Sequence, residues 1–185
     1  MGPQGVRSAI RPLRARSAER RTLDERLRIR FPGLHRWIDS LFFGLSPHSW
    51  LRRRVGPYTM ARAYAAANRR DFELIAVFND TPNYEYRASP GVLPPDLEAV
   101  SSRHSGYLDM WQRWTDAFPD IRYEPREMVD FGDRVLVTAE QRGHGSGSGI
   151  AMSQTLFQLY TFDAGMVIRQ EDFLDREEAL RAARV

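Results

Sequence analysis

Between residues 33 and 45 the apolar residues Leu34, Trp37, Ile38, Leu41, Phe42 and Leu45 recur at intervals of three and four. That spacing places one stripe on an amphipathic helix. From Tyr58 to Arg69 the same period returns, with Met60, Ala63, Tyr64 and Ala67 on one face. Asp71 stands where a helix N-cap belongs and predicts a second short helix over 72–78. At residues 83–87 the period falls to two, Tyr84 and Tyr86 alternating with polar residues, which predicts a strand. The proline-rich stretch 88–101 predicts loop. Residues 102–118 predict a helix with Tyr107, Leu108, Met110, Trp111, Trp114 and Phe118 at its apolar positions. Four strands follow, over 122–130, 134–144, 152–162 and 166–174, with hairpin turns at Phe131-Gly132-Asp133 and Asp163-Ala164-Gly165. A helix over 176–183 closes the chain. Nothing alternates strand with helix, so the pattern predicts an α+β fold with helices gathered on one side of a mostly antiparallel sheet.

At 185 residues and 21.4 kDa the chain has room for one domain and an appendage. Residues 1–22, arginine-rich and broken by Pro3 and Pro12, predict a basic disordered tail. Residues 23–55 form an amphipathic helical extension, and 56–185 the main domain. There is no cysteine, which excludes disulfides, thiolate metal sites and a cysteine nucleophile. All 27 basic residues are arginine, a usage that suggests a GC-rich bacterial coding sequence. The opening arginines are not followed by the apolar stretch of a secretory signal, so a bacterial cytoplasmic location is expected.

Charge is divided unevenly. Residues 1–54 hold 13 arginines against 4 acids, and the remainder holds 14 against 20. An acidic body is a poor coat for nucleic acid, whose phosphates need neutralising, so no nucleic-acid partner is expected. The 34–45 stripe with Arg52, Arg53 and Arg54 behind it has the composition of a membrane-surface helix. Packing on the main domain or on a second subunit is the favoured reading, because most amphipathic helices face a core.

The order and spacing of four stretches resemble the SnoaL-like proteins of the nuclear transport factor two-like superfamily. They are Arg62-Ala63-Tyr64 with Asn68-Arg69-Arg70-Asp71-Phe72; Arg103-His104-Ser105-Gly106-Tyr107 with Trp111; Val129-Asp130-Phe131-Gly132-Asp133-Arg134-Val135; and Asp172-Phe173-Leu174-Asp175. The resemblance spans about residues 56–184. It implies a curved sheet wrapped into a cone, closed by helices around an apolar pocket, and a homodimer formed through the outer sheet face. Relatives of this kind include ketosteroid isomerases, polyketide cyclases, limonene epoxide hydrolase and scytalone dehydratase, beside non-catalytic binding modules.

The resemblance also points to candidate residues. Asp172, on the last strand, matches the acid/base aspartate of limonene epoxide hydrolase. A carboxylate aimed into an apolar cone loses solvation, and its pKa rises toward a working pH. Tyr84 and Tyr86, two apart, share a strand face and could donate to a developing oxyanion. No carboxylate stands at Tyr86, where a ketosteroid isomerase carries its base. Gln158 falls at an oxyanion-hole position of those isomerases, and Gln141 near a second aspartate of the epoxide hydrolase. Asp172, Tyr86 and Gln158 are therefore the catalytic candidates. Tyr64, Tyr84, His104, Trp111, Trp114 and Gln141 are the ligand-binding candidates; the alternative reading is aromatic packing for Tyr84, Trp111 and Trp114, a solvent-facing or dimer-facing side chain for Gln141, and a helix start for His104. The four histidines never fall at metal spacing, so neither metal nor cofactor is expected.

The expected partner is a small apolar molecule. The functional expectation is proton-transfer isomerisation, cyclisation, dehydration or hydrolysis. The alternative is a non-catalytic ligand-binding or assembly module whose pocket is filled by its own side chains, the aromatic stripe of residues 34–45 being one candidate.

Overall fold

The computed structural model describes residues 11–13, 20–79, 84–93, 100–102 and 104–184. Its helices are α1 (Leu23–Arg30), α2 (Pro32–Gly44), α3 (Trp50–Arg69), α4 (Phe72–Asn79), α5 (His104–Ala117) and α6 (Arg176–Arg184). Its strands are β1 (Arg11–Pro12), β2 (Glu85–Ala88), β3 (Val100–Ser102), β4 (Arg122–Asp130), β5 (Arg134–His144), β6 (Ala151–Asp163) and β7 (Met166–Phe173). They form one open sheet in the order β1-β4-β5-β6-β7-β2-β3, antiparallel except for the parallel β2–β7 pair. Register shifts between Pro125 and Glu127 in β4, and between Thr161 and Phe162 in β6, bend the sheet. The result is the α+β cone expected from the sequence.

Alternation along the strands sorts side chains onto two faces. Val135 and Val137 of β5 join Met60, Tyr64, Leu74, Trp111 and Trp114 in the core under α3, α4 and α5. Leu136 and Leu159 point the other way and bury against Ala179 and Ala183 of α6. The helices therefore do not all gather on one side. The last helix covers the outer face, because each strand carries apolar residues in both phases of its pleat.

The boundary expected at 55/56 falls inside α3, which runs unbroken for 20 residues. Pro57 lies in that helix without an N–H to give the carbonyl of Arg53. The guanidinium of Arg11 donates to that carbonyl instead, at 3.2 Å. Arg11 and Pro12 pair with Met128 and Glu127 of β4, and Leu13 is buried. Arg21 donates two bonds to Asp71 at 2.6 and 2.7 Å. Residues 11–13 and 20–22 are thus bound to the body rather than part of a disordered tail. A two-residue strand carries no periodic signal that a sequence could show.

The extension is anchored by buried ion pairs. Glu25 of α1 meets Arg62 and Arg69 of α3 at 3.0 Å each. Arg28 pairs with Asp39 of α2. The strongest anchor is Arg52, at the start of α3. It donates to both carboxylate oxygens of Asp130 on β4, at 2.8 and 2.9 Å, and to the carbonyls of Phe43, Leu45 and Gly132. Both side chains are 3% exposed. One guanidinium therefore joins α2, α3 and the β4–β5 turn.

Removing one partner of such a pair strands a charge in the core, which typically costs about 3–5 kcal/mol. Arg52→Ala is expected to lower unfolding stability by about 3 kcal/mol or more. Arg52→Met/Asp130→Leu, which removes both charges, should cost less than Arg52→Ala alone. Urea unfolding of the two variants checks the order.

Candidate functional site

The site follows from the register of β2, β6 and β7. Gln158 of β6 stands opposite Asp172 of β7, and Tyr160 opposite Gln170. Tyr86 of β2 stands beside Gln170. Alternation then sends all five side chains to the concave face. Tyr84, two residues before Tyr86, points the same way.

Asp172 is 5% exposed, and no arginine reaches it among the described residues. Four donor contacts fill its oxygens. The Gln158 amide donates to both at 3.0 Å, the Gln170 amide to Oδ1 at 3.0 Å, and the Tyr86 hydroxyl to Oδ2 at 3.2 Å. A second layer fixes the polarity of both amides. Tyr64 donates its only hydroxyl proton to Gln158 Oε1 at 2.6 Å, so the Tyr160 hydroxyl, 3.2 Å away, donates to Tyr64. Tyr84 and Tyr107 both reach Gln170 Oε1 at 3.3 Å, and Trp111 donates to Tyr107 at 2.8 Å. Two relays, Tyr160-Tyr64-Gln158 and Trp111-Tyr107-Gln170, thus end on the carboxylate.

Burial pushes the Asp172 carboxyl up to about 6, against the pull of the Gln170, Gln158 and Tyr86 hydrogen bonds. Burial likewise raises the phenols of Tyr64, Tyr84, Tyr86 and Tyr160 well above their ordinary value, and those of Tyr107 and Tyr123 also upward. They remain protonated at neutral pH and available as donors. The one poised proton-transfer group of this cluster is the carboxyl of Asp172.

Two chambers meet here. The outer one, about 80 Å³, is bounded by α3 at Met60, Ala63 and Tyr64, by α4 at Ile75 and Phe78, and by Tyr160 and Phe162 of β6. The inner one, about 20 Å³, has room for roughly one water. Asp172, Tyr86, Trp114 and Gln141 border only the inner chamber, whereas Trp111, Tyr123, Gln158 and Gln170 face both. Asp172 therefore sits one side chain behind the larger space.

The structure brings together Asp172, Tyr86, Gln158, Tyr64, Trp111, Trp114 and Gln141. Tyr84 borders neither chamber; its hydroxyl is committed to Gln170 from behind. Tyr86 also points its hydroxyl at Asp172 rather than into the outer space. Gln141 and Trp114 both donate to the Tyr123 hydroxyl, at 2.7 and 3.1 Å. His104 opens α5, and its side chain lies outside the described residues. Gln170 and Tyr160 escaped the sequence reading, although each lies two residues from a named candidate on the same strand face. Among the described residues no three His, Asp or Glu side chains gather where they could hold a metal ion.

The aromatic stripe of the extension does not fill the cone. Leu34, Trp37 and Leu41 are exposed, while Asp39 and Phe43 from the same helix border the outer chamber. Phe43 stacks on Phe162 with ring centres 4.2 Å apart. The backbone at Asp39 and Ser40 lies against Gly165, where a Cβ would collide. The Ala164-Gly165 turn, with both residues at positive φ, is thus shaped for α2 as well as for the hairpin. The sequence pattern reveals an apolar face but not which edge of it a neighbour occupies.

An ionised Asp172 opposes folding. Its folded pKa of about 6 lies above the ordinary 3.8, so below pH 4 the group is neutral in both states and has no effect. Stability is lost as pH rises from about 4 to 6, and the loss, about 3 kcal/mol at most, is complete above that. Asn keeps Oδ1 as acceptor for both glutamine amides and can donate from Nδ2 to a rotated Tyr86 hydroxyl, giving up only the second Gln158 contact, at Oδ2. Asp172→Asn is therefore expected to match wild type near pH 4 and exceed it by about 1–3 kcal/mol near pH 7. Urea unfolding at the two pH values reads the gap; a variant less stable at neutral pH would contradict this account.

Comparison with known proteins places this geometry. The family model described as SnoaL-like domain matches residues 60–170. No curated protein matches the chain. TerC, crystallised with polyporic acid, is 23% identical over 69% of this chain and 97% of its own, with a TM-score of 0.56. IdmH from Streptomyces antibioticus, a proposed polyketide cyclase, is 21% identical over 69% and 96%, at 0.53. AclR from Streptomyces galilaeus, a proposed hydroxylase, is 19% identical over 74% and 99%, at 0.53. These likenesses carry the fold, and the match over most of the cone carries the family: the chain belongs to the SnoaL-like domain family.

Proposed function

We propose that the protein binds a small, flat, largely apolar molecule in the outer chamber and catalyses proton transfer at a carbon beside a carbonyl group, with Asp172 as base. The observation that carries this reading is the buried Asp172 carboxyl, raised to about 6 and held by neutral donors alone. A base tuned near the operating pH and sheltered from water is suited to removing a weakly acidic proton. The aromatic lining suits a planar ligand. TerC, crystallised with polyporic acid, and IdmH, a proposed polyketide cyclase, support the small-molecule part.

The chemistry assigns each residue a task. Substrate entering between the chambers displaces the Gln158 amide from Asp172. The carboxylate, still held by Gln170 and Tyr86, takes the proton. The freed Gln158 N–H faces the outer space, where the enolate oxygen gains charge, and the Tyr160–Tyr64 relay on Gln158 Oε1 polarises that amide. Returning the proton to another atom gives isomerisation; attack by the enolate carbon on a second carbonyl opens its π bond, and the alkoxide formed takes the proton back from Asp172, which gives cyclisation. Tyr86 touches the base and positions it; Tyr84 acts a layer behind, through Gln170.

A non-catalytic binding role is the second reading. It is favoured by the three donor groups, making four contacts, that already satisfy Asp172. Deuterium exchange distinguishes the two. A panel of aryl ketones and 1,3-diketones is incubated in D2O, with loss of the carbon-bound proton followed by NMR. Wild type is expected to accelerate exchange for at least one planar member, and Asp172→Asn to abolish it. Exchange no faster than with Asp172→Asn across the panel, for compounds that bind, would favour the non-catalytic role.

The pH profile gives an independent prediction. The base works ionised, so kcat/KM should rise through pH 6 and level off above it. Tyr86→Phe removes a donor from the carboxylate, so the midpoint should move upward and kcat should fall more than KM rises. An unmoved midpoint would leave Tyr86 as core packing alone.

A further inference from the structure

Among the described residues, nine of the eleven exposed large apolar side chains lie between Leu23 and Tyr58. The body contributes only Ile150 and Leu174. On α2 the exposed residues are Leu34, Trp37 and Leu41, whose spacing of three and four puts them on one outer face. Leu23 and Leu27 repeat the pattern on α1, and Trp50 at the start of α3 is 74% exposed. These helices are tied together. Arg28 joins α1 to α2 through Asp39, and Arg52 joins α3 to the end of α2 through the Phe43 and Leu45 carbonyls. The apolar residues are thus displayed on one anchored platform.

The charge on this platform is one-sided. Its two buried acids, Glu25 and Asp39, are taken up by arginines inside the fold, and Asp24 pairs with Arg62. Arg26, Arg30, Arg53 and Arg54 are exposed, and the Arg30 guanidinium lies over the exposed Phe31 ring. What remains outward is aromatic and aliphatic surface bordered by arginine.

We infer that α1, α2 and the start of α3 form a docking face for an anionic lipid surface. The occupant is chosen by both chemistries together. Acyl chains take the apolar side chains, tryptophans suit the interface, and acidic headgroups take the arginines. A second copy does not answer both requirements: among the described residues the body exposes only two large apolar side chains, Ile150 and Leu174, and extension against extension would set arginine against arginine. An anionic membrane would also repel the acidic body, which leaves the extension as the side that approaches. Among the described residues no helix is long and apolar enough to cross a membrane, so contact is superficial. This inference stands apart from the proposed chemistry of Asp172.

Flotation of the full-length protein tests it, using vesicles of phosphatidylcholine alone or with about a third phosphatidylserine. Trp37→Glu/Leu41→Glu is compared with the body control Ile150→Glu. All three positions are more than half exposed, so the changes leave the core untouched. Wild type and Ile150→Glu are expected to float with the anionic vesicles, at least about tenfold less with neutral ones, and less at high salt. The double variant should stay in the soluble fraction. Wild type that remains soluble with anionic vesicles would overturn the inference, as would flotation that the double variant retains. Sedimentation equilibrium without lipid supplies a second test. A dimer that the double variant dissociates would assign the face to a second copy and overturn the inference as well.

Discussion

A carboxylate taken out of water must find donors, and at Asp172 the neighbouring strands supply them. Among the described residues no cation balances it. Two glutamine amides and a phenol do so, and those amides are in turn held by tyrosines whose protons burial keeps in place. Neutral donors hold the charge without neutralising it, so the carboxyl stays near the middle of the accessible pH range instead of being driven far down by an arginine. This contrasts with Asp71 and Arg21 in the same chain, where pairing with the guanidinium leaves the carboxyl below its ordinary value despite burial.

The register of β2, β6 and β7 follows from that requirement. A slip of one residue in β6 would turn Gln158 outward and Leu159 inward, exposing the carboxylate to an apolar wall and stripping α6 of its packing. The outer face is thus coupled to the inner one: Leu136, Leu159 and Phe173 under α6 hold the phase that keeps Gln158 and Asp172 in opposition. The Gly165 turn links the same hairpin to α2, so the extension's seat over the outer chamber depends on the geometry that builds the site.

Much of this was legible in the chain. The last four strands are set off by the turns at Gly132 and Gly165 and by the glycine-rich stretch 145–149, so their extents follow the sequence closely. Asp172 and Gln158 were reached through the family resemblance, by the positions they match. Gln170 and Tyr160 stand one pleat away, but a glutamine beside charged Arg169 and Glu171 reads as surface until the partner strand is known. Asp39 and Phe43 were hidden for a different reason. An amphipathic stripe shows that a helix has an apolar face, while its contact edge is set by Arg28 and Gly165, distant in sequence. The 55/56 boundary falls inside α3, whose continuity through Pro57 depends on a contact that the local sequence does not show. Arg11 meets the carbonyl that Pro57 leaves without a donor, and that contact joins two segments far apart in the chain.

The central claim is that Asp172 is a buried carboxyl poised near neutrality by uncharged donors. The most direct measurement is an NMR titration of the aspartate side-chain carboxyl carbons, with the Asp172 signal identified by its loss in Asp172→Asn. The account predicts a midpoint near 6 for that signal. A midpoint at or below the ordinary aspartate value, about 4, would mean the site stabilises the charged form outright and would contradict the account.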